Sequence, residues 1–422
     1  MKAKQLLTTF FLPTLGTTLT TPVQTGLDVL IANNYTQLSG RKVLILTNPT
    51  GITPNLELGV DVMHRSGQVD LAGVLGPEHG FRGTAQAGGS EGTFTDELTG
   101  LTVYDAYNVN TSTLISYIRD SKADTVVYDI QDVGVRFYTY TWAMYDTMLA
   151  AALTNTKFVV LDRPNPITGL NAFGPVLKER YSSYVGRKPI AQAHGMTSGE
   201  LARMFVGQGW IKQDANGSDL TLEVVKMDGW ERKMSWAETG LHWVLPSPNM
   251  PTPDTALIYP GAGMFEGTNM SEGRGTTRPF ELLGAPFGNT TWVVKMRELD
   301  IPNTNYRFAC FTPTTSKFKS RISCGVQSYI TLTDQGDYER FDPVYLGTSL
   351  LWTAKHLYTS GTKDGFEWLK TEDTGEYNVD LLVGSPLIRE GIDAGLSPED
   401  IQKQWMKGLE EFKGDRGKYL LY

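Results

Sequence analysis

From about residue 26 onward, short aliphatic and β-branched runs alternate with amphipathic stretches, and no other feature of the chain restricts its fold as strongly. KVLILTNP (42–49), VDLAGVL (69–75), LTVYD (101–105), DTVVYDI (124–130) and KFVVLDRPNP (157–166) have the length and composition of buried strands. Between them, TLISYIRDS (113–121) and TWAMYDTMLAAAL (141–153) carry helical patterning, and Thr53, Pro54 and Gly67 suggest the cap, first residue and end of another helix. Such alternation is the pattern of βαβ units around a parallel sheet. The expected class is α/β, a Rossmann-like, doubly wound and mainly parallel sheet.

Each predicted strand runs into a polar loop: NPTG, GPEHGFRG, YDAY, YDIQDVGVRFYTY and LDRPNP. Open α/β sheets bind ligands outside the carboxyl ends of their strands, so side chains scattered along the sequence are expected to converge on one cleft. The Gly- and Pro-rich stretch that follows adds AHGMTSGELA, LPSPNMPTP and EGTNMSEGRGTTRPFELLGAP as ordered loops on its border. Beyond about residue 290 the pattern changes: the helix TWVVKMREL, strands near RISCGVQSYITLT, then helices at YLGTSLLWTAKHLY and SPEDIQKQWMKGLEEF. In the last, Ser397 and Pro398 supply the start, and Ile401, Trp405, Leu409 and Phe412 recur at helical spacing. The expected organisation is an N-terminal segment (1–25), a Rossmann-like catalytic domain with long loops (26–288) and a smaller α+β domain (289–422).

Within the loops, Glu78 and His79 sit between glycines that permit a tight backbone, and a carboxyl group there suits a general acid or nucleophile with His79 tuning its proton. The plainer alternative is a turn in which Glu78 caps backbone and His79 fills a niche. Arg82 follows in the same loop. Asp132, Arg136 and Tyr138 form a second group, in which the ordinary explanation is an Asp132–Arg136 ion pair and the functional one a ring-shaped ligand against the tyrosines. Glu266, Asn269, Glu272, Arg274 and Arg278 alternate carboxylates with guanidiniums in a Gly-rich frame, suiting a ligand with hydroxyls and one carboxylate. His194 is not explained by the adjacent helix start, and Asn165 is held between two prolines. Glu272 is the expected partner of Glu78 in catalysis, with Glu266 and Asp132 as alternatives; the remaining residues are expected to bind substrate.

Other chemistries are poorly represented. A net charge of −8 and the lack of a basic stripe argue against nucleic acid. No metal site is expected, since the five histidines are isolated. No cofactor is expected either: GAGMFEG has Glu266 where a dinucleotide fingerprint needs its third glycine. Cys310 and Cys324 allow one disulfide. No apolar run spans a bilayer, because QLLTTFFLPTLGTTL is broken by threonines and Pro13. Preceded by Lys2 and Lys4, that run has the shape of a weak signal peptide without an A-x-A site, so a secreted or periplasmic location is expected, with the cytoplasm as the alternative.

Taken in order, NPTG, GPEHGFRG, YDIQDVGVRFYTY, LDRPNP, HGMTSGELA, SPNMPTPDTALIYPG and EGTNMSEGRGTTRPFELLGAP resemble the NamZ-type exo-β-N-acetylmuramidases, over nearly all of the chain from residue 26. The resemblance implies a Rossmann-like domain plus a smaller C-terminal one with the active site between them. It also implies release of N-acetylmuramic acid from the non-reducing end of peptidoglycan-derived saccharides, with Glu78 as catalytic candidate and His79 beside it. The alternatives are a non-catalytic muropeptide or sugar receptor using the same cleft, and a transferase or hydrolase for another acidic ligand such as a sugar phosphate.

Overall fold

The computed structural model describes residues 22–358 and 365–422, so most of the expected signal segment lies outside the described residues. The strands are β1 (Lys42–Thr47), β2 (Asp70–Gly76), β3 (Phe94–Thr95), β4 (Thr102–Asp105), β5 (Thr125–Asp129), β6 (Lys157–Leu161), β7 (Phe173–Val176), β8 (Ala191–Ala193), β9 (Leu222–Val225), β10 (Leu282–Ala285), β11 (Thr304–Phe311) and β12 (Ser323–Ile330). Seven form one sheet in the order β3-β4-β2-β1-β5-β6-β9, parallel throughout except for the edge pair β3–β4. Numbered by appearance, its parallel strands run 3-2-1-4-5-6, the order of a doubly wound dinucleotide-binding sheet. The α/β expectation is met.

The apolar runs are continuous because both faces of this sheet are covered. Val43 and Ile45 of β1, Val127 of β5, and Val159 and Leu161 of β6 face one core with Leu27, Leu30, Val60 and Met63 of the helices Gly26–Ala32 and Gly59–Ser66. Their neighbours Leu44, Leu46, Val126, Tyr128, Phe158 and Val160 face a second, larger core. That core takes in Trp142 and Met148 of the helix Tyr140–Thr154, and runs without a break into Leu350 and Trp405 of the C-terminal helices. The chain halves therefore share one apolar interior.

The helix expected from Pro54 begins later, at Gly59, with Leu58 as its cap and Gly67 at its end as expected. Residues before it are used differently: the Thr53 amide donates to the Glu57 carbonyl, and Ile52 bridges Leu58, closing a short turn that keeps Leu58 extended. The C-terminal part is a three-stranded antiparallel sheet, β10-β12-β11, packed with helices. Strand β10 joins this sheet although it precedes residue 289, because its run Leu282–Ala285 pairs with Cys324–Gln327. The Cys310–Cys324 disulfide links facing residues of β11 and β12. In the helix Pro398–Arg416, the Ser397 hydroxyl accepts from the Asp400 amide, and the four predicted apolar residues are buried.

Candidate active site

Strand β2 is parallel to β4 up to Gly76, where Pro77 ends the ladder and releases the loop that carries Glu78 and His79. The backbone of His79 is itself left-handed, at φ 71°, a conformation that non-glycine residues adopt rarely and mostly where structure around them enforces it. Gly80 follows at φ 85°, a left-handed backbone that favours glycine, and a Cβ there would have to displace the Glu91 side chain. Glu91 in turn accepts from the Arg82 amide (3.2 Å) and the Thr84 amide (3.0 Å). Arg82 does not face a ligand: its guanidinium is bidentate on Asp61 at 2.9 Å and also holds Asp96, fastening the loop to the helix Gly59–Ser66 and to the end of β3.

So fixed, Glu78 is half-buried and accepts from two neutral donors, the Gly88 amide (2.8 Å) and the Thr139 hydroxyl (2.7 Å). Among the described residues no lysine or arginine pairs with it. Its neighbour His79 is buried, with Nδ1 at 3.2 Å from the Ala85 carbonyl, and burial lowers its pKa despite the attraction of Glu78. A neutral imidazole that donates through Nδ1 is the form this arrangement favours.

The turn after β5 brings Tyr138 and Thr139 to the same place, but not Asp132 or Arg136. No Asp132–Arg136 ion pair forms. Arg136 is fully buried and donates through Nη1 and Nη2 to the carbonyls of Pro175, Ile190 and Leu382, clamping the region of β7 and β8 to the helix Asn378–Val383. Asp132 accepts from the Gly134 amide at 2.7 Å and shapes the turn; burial raises its pKa to about 7. It lines a separate small cavity with Asn165 and His194. Asn165 bridges the Met196 carbonyl and the Ile167 amide. His194 accepts from the Met196 amide, and burial, with the charges of Arg416 and Arg136, lowers its pKa to about 3. These three residues therefore stand behind the turn rather than on the cleft.

The Gly-rich segment divides in the same way. Glu266 and Arg274 reach the cleft, paired through Nε (2.9 Å) and Nη2 of the arginine. Burial works against the Arg274 charge, but the Glu266 carboxylate outweighs it and its pKa is raised. Glu272 lies behind them, its side chain 2% exposed, held by Lys317 at 2.9 Å and Arg274 at 3.5 Å. Lys317 also donates to the carbonyls of Phe265 and Met270, so it ties the whole segment down. Asn269 exchanges hydrogen bonds with Gly365 and Glu367, and Arg278 pairs with Glu281 at the surface. Neither lines the cleft.

What converges is a cavity of about 170 Å³ walled by Glu78, His79, Tyr138, Thr139, Glu266 and Arg274, with Tyr107, Tyr184, Ser247 and Tyr259 among the rest. The Tyr138 hydroxyl is buried beside Ser247. Four aromatic side chains with hydroxyl tips and a few charges suit a polar ring better than an apolar ligand. Tyr107 and Ser247 stand in segments that the sequence marks as loops, YDAY and LPSPNMPTP, and Tyr259 stands in the motif SPNMPTPDTALIYPG, within the helix Pro253–Ala262; Tyr184 carried no signal. Among the described residues, no group of three or more His, Cys, Asp or Glu is arranged to hold a metal ion.

The family model described as exo-beta-N-acetylmuramidase NamZ, N-terminal, matches residues 43–254, and its C-terminal counterpart matches residues 257–422. The chain belongs to the NamZ family. A Bacillus subtilis (strain 168) protein named peptidoglycan beta-N-acetylmuramidase NamZ is 43% identical over 401 residues, which are 95% of this chain and 91% of that one. Two crystal structures of DUF1343 family proteins from Bacteroides fragilis NCTC 9343 share the fold, with TM-scores of 0.82 and 0.73 at 33% and 28% identity. Each alignment covers 95% of this chain and 99% of the other. The NamZ family models thus meet between residues 254 and 257, just where the helix Pro253–Ala262 enters the shared core.

Proposed function

We propose that the protein is an exo-acting β-N-acetylmuramidase that removes N-acetylmuramic acid from the non-reducing end of peptidoglycan-derived saccharides. The observation that carries the mechanism is the state of Glu78: it is the cleft carboxylate held by neutral donors alone, whereas Glu266 is bound to Arg274. A carboxyl group so placed is able to exchange a proton with the glycosidic oxygen, which an ion-paired one does poorly. Thr139 and the Gly88 amide aim it, and the neutral His79 imidazole leaves the pair without a competing cation.

N-acetylmuramic acid differs from N-acetylglucosamine by a lactyl ether with a carboxylate. Arg274 is the lysine or arginine on the cleft wall, and its Nη1 makes no hydrogen bond to the described residues, so the lactyl group is assigned to it. Glu266 then orients the guanidinium. The activity named for the Bacillus subtilis relative favours this reading over a muropeptide receptor, which needs no proton donor. The Cys310–Cys324 bridge favours the exported setting, since disulfides persist in oxidising compartments.

The test is Glu78→Gln. Turnover of a chromogenic N-acetylmuraminide is expected to fall by about 10²- to 10⁴-fold, the usual contribution of a positioned acid or base, while the affinity for N-acetylmuramic acid is retained. A variant that keeps full turnover removes Glu78 from the chemistry.

A further inference from the structure

Arg274, to which the lactyl carboxylate is assigned, has two carboxylates beside it rather than one. Glu266 accepts from its Nε at 2.9 Å and from its Nη2, and Glu272, which does not line the cleft, lies 3.5 Å from the same Nε. Two carboxylates on one guanidinium make a group of net negative charge, and Glu78 stands on the same cleft wall. Such a wall repels an anionic sugar. Across the span of a guanidinium, at an effective dielectric of about 20, one uncompensated carboxylate weakens the binding of an anion by roughly 10- to 50-fold.

Lys317 cancels that charge from behind the wall. Its Nζ is 2.9 Å from Glu272 Oε2, and with the carboxylate side chain only 2% exposed the pair is screened little by salt. An ammonium has three donors, and its other contacts are the carbonyls of Phe265 at 2.9 Å and Met270 at 3.1 Å, on the same segment. Among the described residues Glu272 is the only acid paired with Lys317, so its charge is committed to this carboxylate. Glu266, Arg274, Glu272 and Lys317 together are neutral.

The hairpin β11–β12 delivers the lysine. Lys317 lies midway between Cys310 and Cys324, which the disulfide joins at facing positions of the two strands. Beyond that bond the loop is docked on the Gly-rich segment: the Thr314 amide and hydroxyl donate to the Gly275 carbonyl at 3.1 and 2.9 Å, and the Ser316 hydroxyl lies 3.3 Å from Glu272. The Phe280 ring covers the guanidinium, its centroid 5.1 Å from Arg274 Cζ, and the Phe280 amide donates to the Glu272 carbonyl at 2.6 Å. With Glu266 on one edge and Phe280 on a face, Nη1 is the part of Arg274 left for a ligand, and Lys317 decides whether an anion is attracted to it.

We propose that Lys317 is a specificity-determining positioning residue: by neutralising Glu272 it leaves the Arg274 charge to an anionic sugar in the cleft. The inference rests on the assignment of the lactyl carboxylate to Arg274. Lys317→Gln keeps an N–H donor for the carbonyls and removes the charge. It is expected to raise KM for a chromogenic N-acetylmuraminide by roughly 10- to 50-fold with kcat little changed, since the contact is equal in ground and transition states. Calorimetry with N-acetylmuramic acid should show the same loss, and its lactyl amide, which is neutral, should bind as before. Adding Glu272→Gln to Lys317→Gln restores neutrality and should restore both KM and affinity, which a purely structural lysine would not allow. Glu272→Gln alone leaves Lys317 uncompensated and should tighten the acid relative to the amide, a test of opposite sign that stands even where Lys317→Gln does not fold. Equal losses on acid and amide, a double variant no better than the single one, or a Glu272→Gln protein that does not favour the acid overturns the proposal. A protein that shows these charge effects in binding but does not cleave the muraminide retains the proposal and loses the muramidase reading; one that cleaves it with KM indifferent to Lys317→Gln does the reverse.

Discussion

Replacing Arg274 by methionine separates recognition of the lactyl group from every other role of the residue. A carboxylate on a guanidinium is a charge-assisted hydrogen bond, contributing about 1.5–3 kcal/mol, and at 1.4 kcal/mol per decade this is roughly a 10- to 150-fold loss of kcat/KM on a chromogenic N-acetylmuraminide. The matching N-acetylglucosaminide has no lactyl carboxylate, so its kcat/KM loses nothing through this contact. The substitution also strips Glu266 of its partner, but that side chain is 27% exposed and water can solvate it. Glu272 keeps Lys317. Any disturbance from these sources acts on both substrates and cancels in their ratio. Arg274→Lys keeps the charge without the planar fork and is expected to fall between. Equal losses on both substrates, or an unaltered protein that does not distinguish them, would refute the assignment.

Three predictions concern stability. Asp132, raised to about 7 by burial, is protonated in the folded protein at pH values where the unfolded chain has already released its proton, so stability falls as pH rises from about 4 to 7. Asp132→Asn should match the parent near pH 4 and exceed it at pH 8 by a few kcal/mol in urea unfolding; a gap independent of pH would contradict this. His194 has the opposite sign: with a folded pKa of about 3, set by burial, it withholds a proton that the unfolded chain takes up, and stability is lost as pH falls from about 6.5 toward 3. His194→Asn, which keeps an acceptor for the Met196 amide, should flatten that acid limb, and an unchanged limb would count against it. The disulfide closes a loop of sequence separation 14, and Cys310→Ser with Cys324→Ser should lower unfolding stability by about 3 kcal/mol. A reductant should reproduce the loss in the parent but leave the double variant unmoved.

The βαβ alternation was legible because a sheet covered on both faces writes itself as uninterrupted apolar runs, as in Val43–Leu46 and Val126–Tyr128. Strand β9 and the helix Gly26–Ala32 were harder to see. The first is a short edge strand, only partly buried, and the second is a helix of seven residues whose strongest mark is the Thr25–Asp28 capping box. The late start of the helix at Gly59 was hidden because the cap and proline signals at Thr53 and Pro54 also serve a turn.

For the site, the sequence marked the loops that follow the strands but not the direction of each side chain. Of the four arginines offered as cations, Arg82 found Asp61 and Asp96, Arg136 found three carbonyls, and Arg278 found Glu281, which leaves Arg274 on the cleft. Glu272 and Glu266, six positions apart, are equivalent in composition; Lys317, from a distant hairpin, draws one inward. Tyr184 left no mark at all, because its place on the cleft depends on segments that meet only after folding.

The sequence by itself therefore determined the sheet, the places where its strands stop and the residue types available there, since periodicity and strand punctuation are local properties of the chain. Which cleft carboxylate has no cation beside it and which guanidinium lines the cleft were decided by the tertiary structure, because a charge is neutralised by whatever folding brings within about 3 Å of it, regardless of distance along the chain.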